Sequence, residues 1–194
     1  QVTLACMLVF LFSRMAFRTN RLLFNILSIG LLFPLVVAIL PIFIQIRNFS
    51  MLGTLQGVIL PLAIFGVPGS VVILRGFFIG IPKELEEAAY IDGASIYQFF
   101  FRILIPIARP AIFAVATIQI INAWNDYFLS LVVLTGNTEA WPLPLGLMQF
   151  QGQYGTDWAA VMTYITILMI PAIIFYLFTQ RYIVTGLTGG ELKG

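Results

Sequence analysis

Residues 82–106 read PKELEEAAYIDGASIYQFFFRILIP. Only 9% of the chain is charged, yet Lys83, Glu84, Glu86, Glu87, Asp92 and Arg102 all fall in this stretch, between two long apolar runs. Ionised groups at that density belong in water, so the stretch reads as an aqueous loop between membrane-buried segments. Its local chemistry predicts two short helices joined at a glycine. Pro82 suits a first helical position, and Glu84, Glu86 and Glu87 fall in the opening turns, where carboxylates meet the positive end of the helix dipole. Spacing of three and four puts Leu85, Ala88 and Ala89 on one face. Gly93 can take the left-handed backbone that stops a helix, and Ser95 followed by Gln98 has the capping-box spacing that starts another. The expected product is a helix, a tight turn and a helix with small residues on one side, a shape that can dock.

Outward from this loop the chain is apolar. Hydrophobic residues make up 60% of 194 and the mean hydropathy is +1.01, whereas soluble domains carry about 25% charged residues. That excludes a water-soluble class. Spans of about 20 residues fit this length about five times over. We therefore expect an all-α integral membrane protein: a polytopic helical bundle with five visible transmembrane spans, the first incomplete, forming one domain over residues 1–194. The net charge of +2 and scattered basic residues leave no nucleic-acid footprint. Cys6, the single cysteine, reads as a small buried hydrophobe. Histidine is absent, and with it the commonest proton shuttle and metal ligand. No G-x-x-x-x-G-K-[ST] run occurs and no nucleophile and base pair is evident, so neither enzymatic activity nor a bound cofactor or metal is expected. The chain opens at Gln1 inside an apolar stretch and reads as a fragment without its first span.

In chain order, Val2 to Phe12 reads as the second half of a span, and Arg14, Arg18 and Arg21 mark the cytoplasmic face after it. Leu22 to Ile46 crosses outward with bends at Pro34 and Pro41, and Asn48, Ser50 and Gly53 form an outer turn. Leu55 to Phe78 returns, with Pro61, Gly66, Pro68 and Gly69 predicting a broken or strongly kinked helix; this marks either a substrate-side break or close helix packing. Arg75 snorkels to the inner interface. Ile107 to Leu134 crosses outward, and Thr135 to Trp158 is an outer polar stretch with a short helix around Leu143 to Gln149. Trp141, Tyr154 and Trp158 read as interfacial belt residues. Ala159 to Phe178 crosses inward with Pro171 inside it, and a glycine-rich tail follows. This arrangement puts Arg14, Arg18, Arg21, Arg75, Lys83, Arg102, Arg109, Arg181 and Lys193 inside and only Arg47 outside.

Within the fourth of these spans Gln119, Asn122 and Asp126 recur at three and four, which predicts one polar helical face with Asn125 beside it. An acid near the bilayer middle costs about 2.5–3.5 kcal/mol, so such a stripe borders either a bundle interior or an aqueous path. With Trp124 and Tyr127 it is a candidate for the translocation path. Alternatively, Asn125 and Asp126 sit near the outer interface and hydrogen-bond between helices.

The run Glu87, Ala88, Ala89, three residues, Gly93, nine residues, then Ile103, Leu104, Ile105 and Pro106 resembles the EAA loop of bacterial ABC importer permeases, with Ile105 where that family usually has leucine. LRGFF (74–78), AWNDYF (123–128), FQGQYGTDW (150–158) and QRYIVTGLTGG (180–190) are similar to the carbohydrate-uptake branch, the maltose-type permeases. The resemblance covers nearly the whole chain. It implies that the loop is the coupling element, seated in a groove of a separate ATPase, with Glu87, Ala88, Ala89, Asp92, Gly93, Ile103 and Pro106 as its residues and Glu87 pairing with a basic group. The partners it implies are two ATP-binding cassette subunits holding ATP and magnesium, a second, non-identical permease subunit, an extracytoplasmic solute-binding protein and membrane lipid. The location implied is a bacterial or archaeal plasma membrane, with the loop and C-terminus cytoplasmic and the tail reaching the ATPase pair. The solute implied is a sugar or oligosaccharide. Glycerol phosphate, an amino acid or a peptide stays open as cargo, as do an ion-coupled secondary transporter and a membrane scaffold as function.

Overall fold

Ala5, Cys6, Val9 and Phe12 recur at helical spacing and form the buried stripe of helix α1, Val2–Arg14. The computed structural model describes residues 1–15, 17–152 and 155–188, and the side chains of all these except 151, 152 and 181–188. Helix α2 is Asn20–Ile29, extended by a 3-10 turn at Gly30–Leu32; α3 is Ile39–Asn48, α4 Leu55–Gly80 and α5 Lys83–Ile91. Helix α6 covers Ile96–Ile107 with a π-helical middle, Phe99–Leu104. Then follow α7, Arg109–Trp124, and α8, Phe128–Val133, two 3-10 stretches at Thr138–Ala140 and Leu143–Phe150, and α9, Trp158–Thr188. One departure from an all-α chain is a two-residue antiparallel pair, β1 Gln151–Gly152 with β2 Gly155–Thr156. Tyr154 and the tail from Gly189 lie outside the described residues.

The chain divides into two units. The first comprises Gln1–Leu32, Gly66–Ile118 and the stretch from Thr179. Its core joins Ala5 and Val9 of α1, Val71, Leu74 and Phe78 of α4, Phe99 and Leu104 of α6, and Ala111 and Val115 of α7, all fully buried. Cys6 belongs to this core, as its setting in an apolar run predicts. Arg75 lies over the Phe24 ring at 4.0 Å, a cation–π contact. The second unit comprises Phe33–Phe65 and Gln119–Phe178 and centres on Ile46, Val58, Leu129, Val133 and Leu134. Here the expected polar turn after Asn48 forms: the Gly53 N–H donates to the Val133 carbonyl at 2.8 Å, and Asn137 Nδ2 donates to the Gly53 carbonyl at 2.7 Å.

Several expected spans come out differently. Among the described residues, two helices are long and apolar enough to cross a membrane, Leu55–Gly80 and Trp158–Gln180, and a third if α6 and α7, bent by 73°, count as one. The expected crossing from Leu22 to Ile46 is broken: Pro34 cannot donate to the turn before it, and the chain leaves the helix there. Pro41 does not bend α3, because it sits in the first turn, where N–H groups have no intrahelical partner. The break expected in α4 is absent. The helix is continuous past Pro61 and Pro68; Pro68 packs close to Gly30, where an added Cβ would stand 3.1 Å from its Cγ, while a Cβ on Gly69 would make only ordinary contact with Leu31 at 3.6 Å. The expected crossing from Ile107 to Leu134 is interrupted at 125–127, between α7 and α8. The short helix expected near Leu143 is the 3-10 stretch, held to α9 by Tyr164, whose hydroxyl donates to the Leu143 carbonyl at 2.7 Å.

Candidate coupling site

Helix α5 opens one residue later than expected, with Pro82 as the extended residue before it (φ −56°, ψ 139°) and Glu84 and Glu86 in its first turn. It ends in a Schellman turn. The Ala94 N–H donates to the Ala89 carbonyl at 2.9 Å and the Gly93 N–H to the Tyr90 carbonyl at 3.1 Å, with Gly93 at φ +81°. The Ser95–Gln98 capping box then starts α6. The Gln98 N–H donates to Ser95 Oγ at 3.3 Å, and the Ser95 N–H donates to Gln98 Oε1 at 2.7 Å. The expected helix, turn and helix is therefore present, with the Gly93 stop and the Ser95–Gln98 start where the spacing predicts them.

The two alanines part company. Ala89 is buried in the core of the first unit, while Ala88 is exposed, and so are Glu84, Glu87 and Ile91 on the same side of α5. One alanine anchors and the other is presented. Behind α5, the Tyr90 ring lies 5.9 Å from Phe99 at a tilt of 55°, and Phe10 of α1 lies 5.0 Å from Phe100. Ile91 is 86% exposed and Tyr97 74%, two apolar side chains pointing away from the fold on either side of the turn. Asp92, Gly93 and Ile103 come together with Arg102 and Gln98 around a concavity of about 230 Å³. Pro106 stays half-buried within α6 and lies outside that group.

Arg14, at the end of α1, lies behind the start of α5. Its Nη2 donates to the carbonyls of Phe78 at 2.8 Å and Ile81 at 2.7 Å, and its Nη1 to Glu86 Oε2 at 3.4 Å. The Tyr90 hydroxyl donates to the other Glu86 oxygen at 3.0 Å. Partial burial and the neighbouring Glu86 push the Tyr90 pKa up, so the phenol stays protonated and donating. The sequence alone marks Arg14 only as a cytoplasmic charge. Its partner on α5 is 72 residues away, and no local pattern announces such a pair.

The polar stripe is not one helical face. Gln119 and Asn122 sit on α7, Trp124 is its last residue, and Asn125 and Asp126 fall in the interruption that follows. Asp126 turns to the next helix, where its Oδ2 accepts from the Ser130 hydroxyl at 2.6 Å and from the Ser130 N–H at 3.1 Å. From the position before the N-cap residue Tyr127, the carboxylate thus satisfies a backbone donor in the first turn of α8. Trp124 and Asn125 line a cavity of about 490 Å³ together with Tyr176 and apolar side chains that include Ile121, Pro171 and Phe175. The Trp124 indole N–H is buried and has no acceptor among the described residues. Gln119, Asn122 and Asp126 are not in its lining.

Residues 2–188 match the family described as binding-protein-dependent transport system inner membrane component. The chain belongs to this family. The match takes in both the α5–α6 turn and the polar residues near Trp124. The trehalose/maltose transport system permease protein of Thermococcus litoralis is 36% identical, covering 100% of this chain and 69% of that protein. A diacetylchitobiose uptake system permease protein of Streptomyces coelicolor is 32% identical over 98% of this chain and 63% of its own length. The arabinooligosaccharides transport system permease protein of Bacillus subtilis is 33% identical, over 92% and 62%. The chain thus spans just under two thirds of the last two. Among solved structures, a bacterial ABC transporter involved in the import of the acidic polysaccharide alginate has a chain 26% identical to this one, with a TM-score of 0.72 over 93% of this chain and 66% of that one. Family members are inner-membrane transport components, which agrees with the helices long and apolar enough to cross a bilayer.

Proposed function

We propose that this chain is the membrane permease subunit of an ATP-driven importer for a sugar or oligosaccharide, and that α5 and the turn after it dock on a separate ATPase. The observation that carries this reading is the division of labour within α5: Ala89 and Tyr90 hold the helix to the fold, while Glu84, Glu87, Ala88 and Ile91 are left for another surface. A small residue between a carboxylate and an apolar side chain lets a partner approach closely, and the carboxylate then sets its register. The sugar class rests on the relatives, whose names specify trehalose or maltose, diacetylchitobiose and arabinooligosaccharides.

In the mechanism this implies, ATP and magnesium stay on two cassette subunits. Their closure carries α5 inward, and the attached helices turn to change which side of the membrane the path opens to. A second permease subunit completes that path and a solute-binding protein delivers cargo to the outer side. On this chain, Trp124 and Asn125 are the path residues we favour, because both line the cavity of about 490 Å³ and the exposed Asn125 amide offers hydrogen bonds to a hydroxylated solute. The test is reconstitution with the ATPase pair, partner permease and binding protein, followed by a screen of mono- and oligosaccharides for stimulated ATP turnover. One sugar should stimulate; Glu87→Lys should lose the ATPase pair, and Trp124→Ala should keep the pair but weaken the sugar's effect. Stimulation by amino acids alone, or an ATPase pair retained by Glu87→Lys, would refute the proposal.

A further inference from the structure

We propose that Arg14 is a positioning residue that makes the end of α1, the end of α4 and the start of α5 move as one piece. Its side chain is 3% exposed, and the only ion pair among the described residues is the one it makes with Glu86. Nη2 donates to the carbonyls of Phe78, in the last turn of α4, and of Ile81, just after it, where the helix dipole favours a cation. Nη1 reaches Glu86 in the first turn of α5, and Tyr90 holds the second oxygen of that carboxylate. Two residues, Ile81 and Pro82, are all that join α4 to α5. The proline limits rotation in that link from within the backbone. The guanidinium, a planar fork with fixed donor directions, braces it from the side.

The brace has a mechanical consequence, which rests on α5 being the ATPase-docking helix. A load applied to the exposed side of α5 reaches α1 and α4 through Arg14 and the core behind it. Without the brace, α5 pivots on Ile81 and Pro82, and the load is spent in the link. A buried charge is also not needed for stability alone, since well-packed apolar groups commonly do as well.

The experiment uses the reconstituted complex with Arg14→Lys, Glu86→Gln and the two combined. It reads three quantities: the amount of folded protein in the membrane, the ATPase pair that co-purifies, and solute moved per ATP hydrolysed. Arg14→Lys keeps the charge but not the fork, and Glu86→Gln keeps the shape but not the charge, so both variants should assemble. Each should lower solute moved per ATP by about two- to thirty-fold, the range over which substitutions alter coupling between sites. The double variant should be no worse than the poorer single, because both remove one brace. An unchanged ratio, or uptake falling only in step with folded protein, overturns the proposal. Glu87→Lys in the same assay separates the two ideas. If it keeps the ATPase pair, the docking reading fails and takes the brace's role with it; if it loses the pair while the Arg14 and Glu86 variants transport normally per ATP, only the brace fails.

Discussion

At φ +81° Gly93 occupies a conformation that costs other residues about 1–2 kcal/mol, and a Cβ built there would meet nothing within 4 Å. The constraint is therefore in the backbone and not in space. Among substitutions, Gly93→Asn should disturb the turn least, Gly93→Ala more and Gly93→Val most, since asparagine tolerates the left-handed region and β-branched residues are outliers there. ATPase co-purification across the three variants reads this order; asparagine worse than alanine would mean that volume decides after all. The neighbouring alanines carry a related lesson. Sequence spacing assigns Ala88 and Ala89 to a common small face, yet one is buried and the other exposed. Residues one apart lie about 100° around a helix, and which of them meets the fold depends on what packs behind, here Phe99 and the α1 side chains.

At the scale of elements, the caps are local and were legible. Ser95 and Gln98 satisfy each other's backbone donors as their spacing predicts. Ser95→Ala should cost the start of α6 about 1 kcal/mol, or about fivefold faster amide exchange at Gln98, while Ser95→Asp should retain protection. Exchange unchanged in Ser95→Ala would show that the α6 start is held by packing alone. The π-helical middle of α6 was not legible. Winding with i→i+5 bonds, seen in the Ile105 N–H donating to the Phe100 carbonyl, brings residues five apart to one side, so Phe99 and Leu104 are both fully buried. Proline by itself does not decide where these helices end. Pro34 ends a helix, Pro41 rests where no donor is needed, and Pro68 is carried inside α4, where Ser70 Oγ donates to the Gly66 carbonyl at 2.8 Å. In apolar surroundings an alternative to the helix leaves backbone groups unpaired, so a helix survives a proline that would break it in water.

Across the described residues, many large apolar side chains are exposed. Only 6% of the apolar stretch of Trp158–Gln180 is buried within the chain, and Phe178 is 74% exposed. A helix apolar all round and uncovered by its own chain belongs in lipid or against another membrane subunit. The arginine and lysine distribution sets the orientation we expect. In a Cys6→Ser background, Ser50→Cys should react with an impermeant maleimide on intact cells, and Glu84→Cys only after the membrane is opened. The reverse labelling pattern would put the α5 turn outside and remove it from any cytoplasmic ATPase.

Membrane residence, the capped turn at Gly93 and kinship with importer permeases were settled by the sequence, because hydropathy, cap chemistry and a spaced motif act over a few residues at a time. Tertiary structure alone decided which alanine faces out, that α4 stays whole while the stretch around Pro34 does not, and that Arg14 joins Glu86 across 72 positions. Each of those outcomes depends on the neighbour that supplies the buried surface or the missing hydrogen-bond partner, and that neighbour is chosen by the fold.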